Sequence, residues 1–587
     1  MTVKPSVEKV WLNNYPEGAA GTQLPKMKLD EYFFETNEKD QDRVGLIYRP
    51  TGKKIAVGKM IEEYNKTVKA LIGMDLEPGD NIAVCLVNAP EVVYTILASS
   101  KLGLTINMIN PLDKPEKVVE RIKMLTPKML IAHDKTAPLF NKIKDSISIP
   151  IVTTPIVAGV SNFAMKPLDK NVGWWKNFIK NGKYESKNIE SPYDKDAPFI
   201  YTHTSGSTGP SKTIALKHDT FTHTAHMHAV AGLDFKPGDI WLSTISALFS
   251  TGANSSVMLP ILLKLSTVLE PLYDREQFLK NILKFKPHGS IATKWFWKGM
   301  FDNPLYKGAD LSWLRYPVIV GEKVRRHEAR KFDKFFEEHN NNYGMANAYG
   351  QCELGGGIGN SLLNHKSFGN NTIGVPYTHN EIVIKDLETG EEVDYNQRGE
   401  VTVKTTTGMK HYYGMPEKTA EYYKDGRANL GDIGYVNEKG EYFVDGRITD
   451  YIRISNNAKL YNYEIDDVIE DLLESNPIYE KAIKDYGAYG ETYGDFEVPV
   501  IQIQIDKKHS DLVPDFIKQI NKALISILPK ENRTIAYGTR ITELPAAKSF
   551  KVDASLLKGN TEGLVIVDEN LEIRPCPIFT HDKCEDI

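Results

Sequence analysis

Cysteine is scarce in this chain: its 587 residues hold four, Cys85, Cys352, Cys576 and Cys584. None is spaced as C-x-x-C, which argues against a disulfide framework and a zinc cluster and makes a reducing cytoplasm the expected compartment. An excess of one charge is also lacking. Against 72 Lys and Arg stand 77 Asp and Glu, for a net charge of −5, so the chain as a whole is no coat for nucleic acid or an anionic membrane. Long hydrophobic runs are missing too. The longest, residues 255–269, contains Pro260 and Lys264, is too short to span a bilayer and reads as core. Residues 1–15 are polar and broken by Pro5, without the apolar centre of a secretory signal.

What is present is ordinary globular material, 41% hydrophobic and 25% charged, in a chain too long for one core. Two or more domains are therefore expected. After a leading segment with a short helix over 28–36, apolar runs at 81–87, 105–109 and 128–132 alternate with helical patterns at 91–102 and 114–124. Short strands alternating with helices predict a doubly wound parallel layer. No G-x-G-x-x-G follows its first strand, which excludes a dinucleotide fold. Residues 160–195 are polar, with Trp174 and Trp175, and read as a peripheral excursion. A helix over 218–228 carries His218, His223, His226 and His228. It lacks the i, i+4 pair and the glutamate of a zincin, so these read as solvated or core-edge histidines. Near the end, 463–473 and 513–528 read as helices and 498–505 as a strand of period two.

Between these patterns, Tyr201-Thr-His-Thr-Ser-Gly-Ser-Thr-Gly-Pro-Ser-Lys-Thr213 gathers hydroxyls, two glycines and a lysine. Gly206 and Gly209 permit the backbone turns that point consecutive N–H groups inward. Thr204, Ser205, Ser207 and Thr208 add rotatable donors, and Lys212 adds a positive charge. The apolar run 197–201 before it predicts a buried strand that delivers the loop to a sheet edge. Such a loop reads as a phosphate cradle, with a plain Ser/Thr/Gly surface loop as the alternative. It is not a P-loop, because Ser211 stands where a glycine must precede the lysine.

This loop resembles the phosphate-binding signature of the adenylate-forming superfamily, which includes acyl- and aryl-CoA synthetases, luciferases and the adenylation domains of peptide synthetases. The resemblance recurs in order from about residue 30 to 555. Val318-Ile-Val-Gly-Glu-Lys323 is similar to the family's adenine-facing turn, implicating Gly321, Glu322 and Lys323. Asn347-Ala-Tyr-Gly-Gln-Cys-Glu353 looks like Asn-x-Tyr-Gly-x-Thr-Glu. It implies ATP-binding roles for Asn347, Ala348, Tyr349, Gly350, Gln351 and Cys352, with Tyr349 stacked on adenine and Glu353 holding Mg²⁺. Cys352 replaces a threonine, a weaker donor at that place. Phe249, in 246–252, matches an aromatic gate that would line the acyl pocket; ordinary core packing accounts for it equally. Phe249-Ser-Thr-Gly lacks the aspartate that amino-acid-activating relatives carry, so a plain carboxylic acid is the expected substrate. Gly355 to Gly357 either leave room for an acyl group or form a flexible turn.

Residues 408–421, with Tyr412-Tyr-Gly-Met-Pro-Glu-Lys-Thr-Ala, resemble a stretch frequent in CoA ligases. Asp432 corresponds to the family's ribose-binding aspartate and Arg447 to its arginine at the end of the large domain. The resemblance implies a large domain over 1–448, with doubly wound sheets and helices, and a small mobile α+β domain over 449–587. The hinge would be Thr449 and Asp450. Asn456 and Asn457 stand where a glycine usually shapes the CoA tunnel. Lys551, six residues after Pro545, matches the catalytic lysine; Phe550 and Ala547 depart from that motif, leaving Lys548 as a second candidate. The implied reaction joins a carboxylic acid to CoA through an acyl-AMP, with ATP, Mg²⁺ and CoA. A carrier-protein acceptor, an amino-acid activator and a nucleotide-binding homologue without catalysis are the alternatives. The acid and the oligomeric state are not encoded in a readable motif.

Overall fold

The computed structural model describes residues 3–155, 169, 173–180, 189, 191–204, 211–272, 274–362, 371–454, 458–528, 533–545, 554–568 and 570–576. Three sheets precede Arg447. A six-stranded sheet runs in the order Ile151–Thr154, Met129–His133, Asn81–Cys85, Thr105–Met108, Ile200–His203, Thr213–Leu216. Its first five strands are parallel and the last closes an antiparallel hairpin at the edge. Strands such as Met129–His133 are buried along their whole length, as expected where helices cover both faces. The helix Pro90–Leu102 shows how sequence sets the bounds. Proline at its first turn is preorganised for a helix, and Gly103 ends it in the left-handed region at φ 66°,.

A nine-stranded sheet has six parallel strands at its centre, in the order Ala346–Gln351, Tyr316–Val320, Gly289–Ala292, Ile240–Ser243, Ser266–Leu269, Val44–Tyr48, flanked by antiparallel edge strands. A third, antiparallel sheet contains Arg427–Val436 and Tyr442–Arg447. The candidate segments at 204–212, 246–252, 321–323 and 352–353 each follow the C-terminal end of a parallel strand, where open α/β sheets place their ligands.

After Arg447 the chain builds a two-stranded ribbon and a five-stranded sheet with the helices Asn462–Ser475 and Val513–Ile527. Among the described residues no strand pairs across this point, and Ile452, Ile465, Ile501 and Phe516 belong to a core cluster made only of later residues. The strand Phe496–Ile505 is not half-buried with period two: Val498 to Ile503 are buried in succession. The reason is that both faces are covered. Ile501 and Ile503 pack with the helices, while Val500 packs with Leu564 and Cys576.

The histidine helix, His218–Val230, is also more deeply placed than a solvated face. His218, His223 and His228 are buried. His218 stacks on Phe199 with centroids 4.2 Å apart, and His228 Nε2 lies 2.9 Å from the Tyr377 hydroxyl. Burial pushes their pKa values down to about 3 and about 4 respectively, so both are neutral structural groups near pH 7. No helix of the described residues is long and apolar enough to cross a membrane.

Candidate active site

The phosphate-cradle segment joins the antiparallel pair Ile200–His203 and Thr213–Leu216. Ser205, Gly206, Ser207, Thr208 and Gly209 lie outside the described residues, but the hairpin's neck is defined. The Thr204 N–H donates to the Lys212 carbonyl at 2.9 Å, and the Lys212 N–H donates to Thr204 Oγ1 at 2.9 Å. Ser211 Oγ donates to the Thr204 carbonyl at 2.5 Å and receives a hydrogen bond from Arg121 Nη2 at 3.0 Å. Arg121 is buried and paired with Asp113. Sequence reading gave Arg121 no role, and nothing local marks it, since its partner lies 90 positions away.

Lys212 leaves the neck toward a second element. Its ammonium sits 4.4 Å from the centroid of the Tyr412 ring and donates to the Tyr412 hydroxyl at 3.2 Å. That hydroxyl donates in turn to Glu353 Oε1 at 2.8 Å. Burial first, and the Glu353 charge second, push the Tyr412 phenol well above its ordinary range, so it stays a donor at any working pH. Lys212, Tyr412 and Glu353 thus form one line of contacts. Tyr412 was read only as part of a ligase-like stretch; that stretch was the signal that marked it.

Tyr349, Gln351, Asp432 and Arg447 meet at a second focus. Asp432 is buried; its carboxylate accepts from the Tyr349 hydroxyl and from Gln351 Nε2 at 3.0 Å, and pairs with Arg447 Nε at 2.9 Å. Arg447 Nη1 and Gln351 Nε2 both donate to the Leu430 carbonyl, at 3.0 and 2.9 Å. The sheet register explains part of the meeting: Asp432 pairs with Arg447 across adjacent strands, and Tyr349 and Gln351 both reach Asp432 from the strand Ala346–Gln351. Burial and the neighbouring Asp432 charge hold the Tyr349 phenol far above its usual value.

The other predicted residues surround these two foci. Asn347 and Ala348 pair with Ile319 and Val320 in the parallel register, which brings the turn at Gly321, Glu322 and Lys323 to the same end of the sheet. Gly321 takes φ 81°. Gly350 is pressed against the next strand, where a Cβ would meet the Gly356 carbonyl at 1.8 Å. Lys323 is directed elsewhere: its amine donates to the Asp445 carbonyl and to Asp466, each at 2.9 Å. Cys352 is half-buried, and its carbonyl accepts from Ser250 Oγ at 3.0 Å. That bond ties the segment carrying Phe249 to the 347–353 strand. Asn88, beyond the end of Asn81–Cys85, holds the same segment by accepting from the Ala247 N–H at 2.8 Å and donating to the Ile245 carbonyl at 3.0 Å. Phe249 itself is 37% exposed, not a core residue. Thr449 and Asp450 are exposed, and the Asp450 N–H donates to the Arg447 carbonyl at 3.0 Å. Lys551, Phe550, Lys548, Asn456 and Asn457 lie outside the described residues.

Known proteins resemble this chain over most of its length. Residues 33–413 match the family described as AMP-binding enzyme. A long-chain-fatty-acid–CoA ligase of Bacillus subtilis (strain 168) is 24% identical over 487 residues, 79% of this chain and 84% of that protein. A 4-coumarate–CoA ligase 3 of Arabidopsis thaliana is 23% identical over 459 residues, 76% of this chain and 78% of that one. Among solved structures, ATP-bound MatB from Rhodopseudomonas palustris superposes with a TM-score of 0.74 at 17% identity, over 92% of this chain and 99% of its own. With a family match spanning well over half its length, this chain belongs to the AMP-binding enzyme family.

Proposed function

We propose that the chain is an AMP-forming acid–CoA ligase acting in the cytoplasm. One acid carboxylate oxygen attacks the α-phosphorus of ATP. The bond from that phosphorus to the bridging oxygen breaks, giving acyl-AMP and pyrophosphate. The CoA thiol, losing its proton, then attacks the acyl carbon and releases AMP. The observation that carries the reading is the convergence of Tyr349, Gln351 and Arg447 on the Asp432 carboxylate, beside the line from Lys212 through Tyr412 to Glu353.

In this reading the ring of Tyr349 faces adenine and Asp432 takes the ribose hydroxyls, exchanging protein donors for sugar donors. Lys212 and the hairpin tip hold the β- and γ-phosphates, where a fixed cation offsets charge that grows on the leaving group. Glu353 pairs with no cation among the described residues, and its carboxylate is the oxygen ligand that Mg²⁺ prefers. Bound there, Mg²⁺ would screen the phosphate charge. Lys551 is assigned on resemblance to bridge the carboxylate and α-phosphate, and Phe249, being exposed, to face the acid. The domain division at 448 and 449, with Thr449 and Asp450 as a swivel, is supported by the separate core clusters on its two sides.

The test is release of AMP and pyrophosphate over a panel of fatty, aryl and short-chain acids, with and without CoA. The ligase reading expects AMP and thioester in equal amounts. Acyl-AMP that accumulates with CoA present would move the acceptor to another thiol, such as a carrier protein. Tight MgATP binding with no acid consumed would mark a non-catalytic homologue.

A further inference from the structure

The helix Pro115–Met124 buries Val118, Arg121 and Ile122, residues spaced to share one helical face,. Val118 and Ile122 join the apolar cluster of Ala83, Leu130 and Phe140 against the six-stranded sheet. Arg121, on the same stripe, is 5% exposed, and a guanidinium is almost never taken that far from water unless it is paired. Two partners account for it. Nη1 pairs with Asp113, which offsets the charge, and Nη2 donates to Ser211 Oγ at 3.0 Å. The helix is pinned at the same point, because Asn107 Nδ2, from the strand Thr105–Met108, donates to the Arg121 carbonyl at 2.7 Å.

Ser211 passes the contact on. A serine hydroxyl has one proton, and this one goes to the Thr204 carbonyl at 2.5 Å, so the Arg121 N–H meets a remaining lone pair. The next residue is Lys212, whose N–H and carbonyl both bond to Thr204. One guanidinium arm therefore bears on the backbone that carries the Lys212 side chain. The same helix also supports the group that Lys212 reaches. The Met124 carbonyl accepts from the Tyr413 hydroxyl at 2.9 Å, and the Tyr413 N–H donates to the Thr213 carbonyl at 2.8 Å, immediately beside Tyr412, whose hydroxyl accepts from the Lys212 ammonium. Lys212 and Tyr412 are thus both referred to neighbouring points on one support.

We propose that Arg121 is a positioning residue of the phosphate site, setting the backbone of Lys212 through the Ser211 hydroxyl before nucleotide arrives. That role rests on the reading of Lys212 as the cation for the β- and γ-phosphates, and it adds a residue from outside the segments that resemble family motifs. Its physical content is preorganisation. A segment already fixed loses little freedom when a ligand binds, whereas a loosened one spends part of the interaction energy on being ordered. Contact between Arg121 and nucleotide is not required, since two arms of its fork are engaged by Asp113 and Ser211.

The experiment measures MgATP binding by calorimetry without acid, then kcat and KM for AMP release, in the native protein, Ser211→Ala, Arg121→Lys and the double variant. Lysine keeps a charge for Asp113 but lacks the planar fork that serves two partners at once. Each single variant is expected to weaken MgATP binding about three- to tenfold, the usual effect of one hydrogen bond, and to raise the KM for MgATP alike, with kcat within about twofold. In the double variant the losses should not multiply: Arg121→Lys should cost less than about twofold once the Ser211 hydroxyl is gone. A purely structural arginine would lower the urea midpoint in both backgrounds and leave MgATP affinity at native values; that result, or losses that multiply, would overturn the proposal. Ser211→Ala removes a single oxygen and keeps the test open should Arg121→Lys not fold. Lys212→Ala separates the positioning role from the reading beneath it. If it weakens MgATP binding and Ser211→Ala does not, the positioning role fails while the phosphate site stands; if neither does, both fail. MgATP binding that depends on Ser211, with no AMP released from any acid, would uphold the positioning role and reject the ligase reading.

Discussion

Along the seam where residues 294–330 meet residues 462–485, several charges meet an opposite one. Lys298 bridges Glu328 at 3.3 Å and Asp485 at 3.1 Å, Arg325 reaches Asp485 at 3.0 Å, and Lys323 reaches Asp466 at 2.9 Å. Glu470 takes the His327 ring at 2.6 Å and the Tyr486 hydroxyl at 2.7 Å. Around the hairpin neck the arrangement differs. Lys212 and Glu353 approach the same tyrosine hydroxyl from opposite sides, and neither forms an ion pair among the described residues. A buried pair is costly to break by removing one partner, because its mate is left uncompensated. Lys212 and Glu353 are kept apart by one neutral hydroxyl, which on the function proposed above leaves them for a nucleotide's phosphates and its metal.

The sharpest way to break the comparison is to remove a charge on the seam. Asp485→Asn leaves Lys298 and Arg325 with one carboxylate fewer in a buried place, and a loss of about 3–5 kcal/mol in unfolding free energy is expected. Urea denaturation measures it, and a change under about 1 kcal/mol would mean the seam is solvated and loosely held. The opposite result is expected of Lys212→Ala. Pyrophosphate release should fall about 100- to 1000-fold, the usual cost of a donor aimed at developing charge, while the midpoint of unfolding stays within a few degrees of the native protein's.

Acid separates the regions again. Interactions with His327 and Tyr486 outweigh burial and hold the Glu470 carboxyl at about 2, against an ordinary 4.5. The contribution of this group is therefore whole above pH 4.5 and is lost as pH falls toward 2, because protonation is then easier in the unfolded chain. The stability difference between the native protein and Glu470→Gln should shrink over that interval by up to about 3 kcal/mol. A difference that is constant with pH would show that the carboxylate charge does not matter there.

Much of this architecture was legible in one dimension. Continuous apolar runs gave Asn81–Cys85 and Thr105–Met108, and the proline and glycine at its ends bounded the helix Pro90–Leu102. The motif residues Tyr349, Asp432 and Arg447 were legible too, although their convergence is not, since it depends on register between distant strands. What stayed hidden was set by partners far along the chain. Lys323 lies in a turn whose sequence resembles the family's adenine-facing one, yet its amine is held by Asp466, 143 residues away. The strand Phe496–Ile505 misled because alternation in a sequence cannot report that a second layer covers the outer face. The bond between Arg121 and Ser211 spans 90 positions, and no local pattern could have assembled it.

Tyr412 is where the comparison can be sharpened most finely, since one atom separates two explanations of it. As packing, its ring lies under the Lys212 ammonium and edge-on to Tyr422, with centroids 5.9 Å apart. As a positioning group, its hydroxyl fixes both Lys212 and Glu353 before nucleotide arrives. Tyr412→Phe keeps the ring and its cation–π contact, removing only the hydroxyl. If positioning is the role, the KM for MgATP should rise about tenfold, near 1.4 kcal/mol, with kcat within about threefold, because the loss falls on assembling the phosphate site. Calorimetric binding of MgATP should weaken by the same factor without acid present. If packing is the role, both readings stay at native values and only Tyr412→Ala disturbs them, through lost stability that denaturation would reveal.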